Sequence, residues 1–131
     1  VIDRLRNAGM PESKIHVAKG LYEDSLTEEL RANYLNHDIC ASFVLLDCDY
    51  YSSTITALNW IEPLLHDGSI LFFDDIYWFN GNPNKGQIKA INEFNATREL
   101  SGLSLFPHLD VTHRTYIYWR DNGAVSENLA F

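Results

Sequence analysis

Two apolar runs, Phe43-Val44-Leu45-Leu46 and Ile70-Leu71-Phe72-Phe73, end abruptly in acid, the first in Asp47-Cys48-Asp49 and the second in Asp74-Asp75. Runs this continuously apolar suit strands covered on both faces, as in a parallel sheet flanked by helices. Residues 52–65 between them are long enough for a crossover helix, which predicts one right-handed β-α-β unit. Parallel strands point the same way, so both acidic ends emerge at one carboxyl edge, where open α/β sheets bind ligands. Four carboxylates gathered there repel one another and raise each other's pKa. A divalent cation with hard oxygen ligands relieves that repulsion.

The rest of the chain falls into place around this unit. Ile2 and Leu5 share one face of a first helix that Gly9 stops. Residues 14–18 read as a short strand, and Asp24 or Ser25 as the cap of a helix running through Leu26, Leu30 and Tyr34. Ser52, Ser53 and Thr54 supply cap hydroxyls for the crossover helix, whose inward side chains are Ile55, Leu58 and Ile61. Pro63 ends that helix and Gly68 turns the chain into the second acidic strand. After a loop at residues 80–84, a helix is predicted over residues 85–100 with Ile88, Ile91 and Phe94 inward. Residues 103–106 and 114–119 read as an antiparallel hairpin at the sheet edge, and residues 121–131 as a loose tail.

Composition narrows the partners. With 131 residues the chain is one domain at most, and a net charge of −8 argues against nucleic acid and anionic membrane surfaces. No apolar run approaches the ~20 residues needed to span a bilayer. Cys40 and Cys48 flank a predicted strand about 26 Å long and cannot pair with each other, so two lone thiols point to a reducing, cytoplasmic setting.

Asp47, Asp49, Tyr51, Ser53 and Thr54, followed by Asp74 and Asp75 and then by Gly86, Ala90, Glu93 and Phe94, make a spaced series. It resembles class I S-adenosylmethionine-dependent methyltransferases, in particular the macrocin O-methyltransferase group. There an Asp-x-Asp-x-Tyr-x-Ser-Thr stretch, an Asp-Asp pair and a Gly-x-x-x-Ala-x-x-Glu-Phe helix follow in this order. The resemblance covers residues 14–119. It implies a Rossmann-like α/β fold and Mg²⁺-assisted methyl transfer to a small hydroxylated acceptor, a sugar or a natural product. It also implies a metal held by Asp47, Asp74 and Asp75, with Asp49 as general base. Gly20, Leu21 and Tyr22 match the group's third-strand end near the cofactor, and Asp47 borders the same site. Read by themselves, Asp47 and Asp49 also suit the capping of the next helix.

The glycines form no Gly-x-Gly turn, and the group's first two strands have no counterpart. The chain is therefore expected to be the C-terminal part of one methyltransferase domain. Alone it is expected to be inactive and either to self-associate through the exposed edge at residues 43–46 or to bind S-adenosylmethionine below detection, or both. Two other readings compete. A haloacid-dehalogenase-like phosphohydrolase also has Asp-x-Asp and a later Asp-Asp, but needs a Ser/Thr strand and a Lys between them. A non-catalytic fragment would need a partner or second copy. Among smaller candidates, Trp78 and Phe79 read as pocket wall or plain packing, and Lys85 and Lys89 as a solvated helix face. His37, His108 and His113 read as surface.

Overall fold

The computed structural model of the chain describes residues 2–106 and 113–121. The two apolar runs form β1 (Ala41–Leu46) and β2 (Leu65–Phe73), paired in parallel with Phe43 beside Ile70 and Leu46 beside Phe73. Helix α4 (Tyr51–Ile61) makes the crossover, and Glu62–Leu64 tightens into a 3₁₀ turn where Pro63 denies the helix its next backbone donor. Gly68, at φ +87°, bends the chain within β2. Helix α5 (Gly86–Ala96) follows the loop, and β3 (Ser101–Phe106) with β4 (Arg114–Arg120) forms the predicted hairpin. The sheet order is β1-β2-β4-β3, parallel in its first pair and antiparallel in the other two, with β3 at the edge. The result is an α/β fold with a four-stranded mixed sheet.

The core lies between one face of this sheet and the pair α4 and α5. Leu46, Leu71, Phe73, Leu103 and Tyr118 point from the strands to meet Ala57, Leu58, Ala90, Ile91 and Phe94 from the helices. Burying side chains of this size contributes roughly 1.5–3 kcal/mol each. The face of β1 that carries Phe43 and Leu45 is uncovered, with the two side chains 63% and 56% exposed.

Several local expectations are corrected. Residues 15–19 carry no strand, because among the described residues β1 pairs only with β2 and nothing offers the 14–18 segment a ladder. The single helix expected from Asp24 or Ser25 is split into α2 (Tyr22–Ser25) and α3 (Glu28–Asn36). Ser25 Oγ bonds back to Leu21 O at 2.8 Å, and Thr27 is the cap, its hydroxyl accepting from Leu30 N at 3.1 Å. The crossover helix takes no hydroxyl cap: Tyr50 holds that position, while Thr54 Oγ1 turns inward onto Tyr50 O and Cys48 O. Thr54 and Ala57 are buried with Leu58, whereas Ile55 and Ile61 are only half-buried against the core. Helix α5 ends at Ala96 rather than near residue 100, where Thr97 Oγ1 bonds to Glu93 O and Phe94 O. His108 and residues 122–131 of the expected tail lie outside the described residues.

Candidate metal centre

Register fixes the acids. Leu46 and Phe73 are partners, so Asp47 and Asp74 leave the sheet side by side, and Asp74 N donates to Leu46 O at 3.1 Å. Gln87, 1% exposed at the start of α5, clamps the same two strand ends: its Nε2 donates to Leu46 O at 3.0 Å and its Oε1 accepts from Asp75 N at 3.1 Å. A buried amide with both ends satisfied gives this edge a defined geometry.

The carboxylates of Asp47, Asp74 and Asp75 converge, one oxygen of each lying within 4.8 Å of the others. Asp47 is exposed and the other two are half-buried. Asp75 Oδ2 is buried with no hydrogen-bond partner among the described residues. The Asp75 carboxyl is accordingly pushed from the ordinary 3.8 up to about 6. Burial is the main cause, followed by the charge and hydrogen bonding of neighbouring Asp49 and then by the charges of Asp74 and Asp47.

A cation fits this arrangement. Oxygens on one octahedral Mg²⁺, about 2.1 Å from the metal, sit roughly 3 Å apart when adjacent and about 4.2 Å when opposite. A set within 4.8 Å needs only side-chain adjustment to reach that geometry, and a cation would give the orphaned oxygen its missing partner.

The surroundings contain residues that sequence reasoning placed elsewhere. His113, read as surface, is half-buried with Nε2 2.9 Å from Asp74 Oδ1 and its ring 5.2 Å from that of Phe72. It reaches the acids because β4 runs antiparallel to β2, which returns residue 113 to the acidic edge. Gln87 was missed as well, and its only signal was a polar amide inside the apolar stripe of α5. Glu93 accepts from Tyr51 Oη at 2.6 Å, and Lys89 stands over the Tyr51 ring at 4.0 Å, so α5 is tied to the start of α4.

The residues expected beside the cofactor are less enclosed. Gly20 (φ +150°), Leu21 and Tyr22 are all exposed. Of the three, Tyr22 approaches the acidic strand end: burial raises the pKa of its hydroxyl, with Cys48 and Asp47 adding to the rise. The surroundings of Cys48 disfavour the thiolate. Burial raises its thiol pKa, and Asp75, Asp47 and Asp49 add to that against a hydrogen bond from Thr54.

No protein-family model and no curated protein matches the chain. Among solved structures it is similar to an O-methyltransferase from Bacillus cereus in complex with SAH, at 16% identity and a TM-score of 0.54. The match covers 88% of this chain and 54% of that one, so the chain spans about half the length of the structure it resembles. At this identity the likeness shows the fold alone, an α/β arrangement with a mixed sheet that resembles the Rossmann-like fold of that methyltransferase. Among the described residues no helix is long and apolar enough to cross a membrane.

Proposed function

We propose that this chain forms the metal and acceptor side of an S-adenosylmethionine-dependent O-methyltransferase, as the C-terminal part of that domain. One observation carries the reading: three carboxylates converge at the carboxyl edge of two parallel strands, and one buried oxygen among them has no hydrogen-bond partner among the described residues. The methyltransferase-like fold supports it. Asp47, Asp74 and Asp75 would hold Mg²⁺, with His113 orienting Asp74. Mg²⁺, when bound, supplies the Lewis acidity that lowers the pKa of an acceptor hydroxyl.

The remaining work falls to the chain's own residues. Asp49, whose charge acts on Asp75, would take the proton of the acceptor hydroxyl, and S-adenosylmethionine, when bound, would supply the methyl group. Gly20, Leu21, Tyr22 and Asp47 border the cofactor side. The phosphohydrolase reading has no support: β1 and β2 are adjacent with one helix between them, and residues 50–73 contain no Lys.

Calorimetry tests the metal site. Mg²⁺ or Mn²⁺ should bind the wild-type chain, and Asp75→Asn should weaken that affinity by at least about tenfold. Equal affinity in the variant would leave the acids as loop residues and helix caps. Release of phosphate from an ester in the presence of Mg²⁺, dependent on Asp47, would instead restore the phosphohydrolase.

A further inference from the structure

Next to Asp49 the surface opens into a cleft of about 320 Å³ whose wall and rim include Tyr50, Tyr51, Phe79, Lys85, Gly86 and Lys89. Its position is set by the same backbone that sets the acids. Tyr50 follows Asp49 in the chain, and Gly86 precedes Gln87, whose Oε1 holds Asp75 N. Gly86 has φ +55°, and a Cβ there would lie 2.5 Å from Phe79 Cδ2 and 3.5 Å from Asp49 O. Glycine thus lets the Phe79 ring lie directly against the start of α5, and the cleft floor abuts the Asp49 backbone.

Two properties of this cleft stand out in a chain of net charge −8. It is aromatic and open: Tyr50 is 61% exposed, and its ring meets Phe79 only at 6.3 Å and a tilt of 53°, leaving a ring face available. It is also locally cationic. Lys89 is engaged with Glu93 at 3.6 Å and with the Tyr51 ring, whereas the Lys85 ammonium makes no ion pair or hydrogen bond among the described residues. A neutral acceptor would have no use for an ammonium that no described residue pairs. An anionic one would, since its charge must otherwise sit beside Asp49 and its neighbours.

We propose that the cleft binds the anionic part of the acceptor. The acceptor class is a hydroxylated ring compound carrying a phosphate or carboxylate. Its ring stacks on Tyr50 and Phe79, its anion is met by Lys85, and Lys89 adds a second, partly compensated positive charge. This assignment deepens the O-methyltransferase reading and rests on it for the hydroxyl that reacts.

The test is an NMR titration of the ¹⁵N-labelled 131-residue chain with phenyl phosphate, benzoate, phenol and inorganic phosphate, without Mg²⁺. Phenyl phosphate or benzoate should shift the amides of Tyr50, Phe79 and Gly86, and bind at least about fivefold more tightly than phenol or inorganic phosphate. The tighter of the two names the anion. Lys85→Glu, at an exposed site that leaves the rest of the spectrum in place, should weaken that binding by about tenfold or more. Phenol binding as well as the anions, inorganic phosphate matching phenyl phosphate, shifts mapping elsewhere, or an unaffected Lys85→Glu variant would each overturn the assignment. Repeating the titration on Asp75→Asn separates the two claims. That variant tests the cation site, and the cleft should bind phenyl phosphate as before even where Mg²⁺ binding fails.

Discussion

Two regions of the described chain are held by different forces. Helices α4 and α5 bury Thr54, Ala57 and Leu58, and Gly86, Gln87, Ala90, Ile91 and Phe94, against β2 and its neighbours. The elements α1 (Ile2–Asn7), α2 and α3, and the 3₁₀ turn Glu12–Lys14, bury no residue at all. Their attachment is sparse: Leu26 packs partly buried against the core, Trp60 Nε1 donates to Thr27 O at 2.8 Å, Arg31 reaches Trp60 O at 3.4 Å, and Tyr34 meets Trp60 edge-on. The difference teaches that the acidic edge inherits its geometry from the hydrophobic core, whereas Gly20, Leu21 and Tyr22 sit on a segment that adds little to that core. The acids follow strands packed into the core, and residues 20–22 lie on the less buried part of the described chain.

The largest effect should come from cutting into the core. Phe94→Ala removes a fully buried ring and should cost about 3–5 kcal/mol of unfolding free energy in a denaturant titration, while Leu5→Ala in α1 should cost less than ~1 kcal/mol. Similar costs at both sites would erase the contrast. Native-state hydrogen exchange sharpens it further, with amides of β2 protected close to the global limit and those of residues 2–20 exchanging through local opening.

A smaller loss is expected from the clamp between the two strand ends. Gln87→Leu preserves volume but strands Asp75 N and deprives Leu46 O of one donor, which should cost about 2–3 kcal/mol by thermal or chemical unfolding. If the edge is positioned by this amide, the same variant also weakens Mg²⁺ binding without touching an acid.

The smallest change has the opposite sign. Because the folded chain holds the Asp75 proton more tightly than the unfolded chain does, this group's stabilising contribution is complete below about pH 3.8 and lost as pH rises through about 6. At pH 7 without metal, Asp75→Asn should therefore raise stability, by roughly 1 kcal/mol or about 4 °C in Tm. Saturating Mg²⁺ should reverse the order, since only the wild type keeps the full ligand set.

What could be read from the sequence follows the same division. The runs Phe43–Leu46 and Ile70–Phe73 declare themselves because strands buried by helices are continuously apolar, and the crossover length makes them parallel. The acids then share an edge by topology alone. The hairpin was legible from its two runs and the turn between them. The segment at residues 14–18 misled because a strand is made by its neighbour's backbone, which the described sheet does not provide. Caps at Thr27 and Tyr50 were missed because hydroxyls such as Thr54 have competing backbone acceptors that only the fold chooses between. Gln87 and His113 carry no period or motif, and their roles arise from contacts 41 and 39 residues away in sequence.

The central claim is that Asp75 is a carboxylate disfavoured by burial and by neighbouring acids, a strain that a cation relieves. Carboxyl ¹³C NMR of the Asp75 side chain, followed through a pH titration with and without Mg²⁺, tests it directly. The account predicts an apparent pKa of about 6 in the metal-free chain, falling below about 4 once Mg²⁺ is bound. A metal-free value in the ordinary aspartate range, or a value near 6 that Mg²⁺ leaves unmoved, would contradict it.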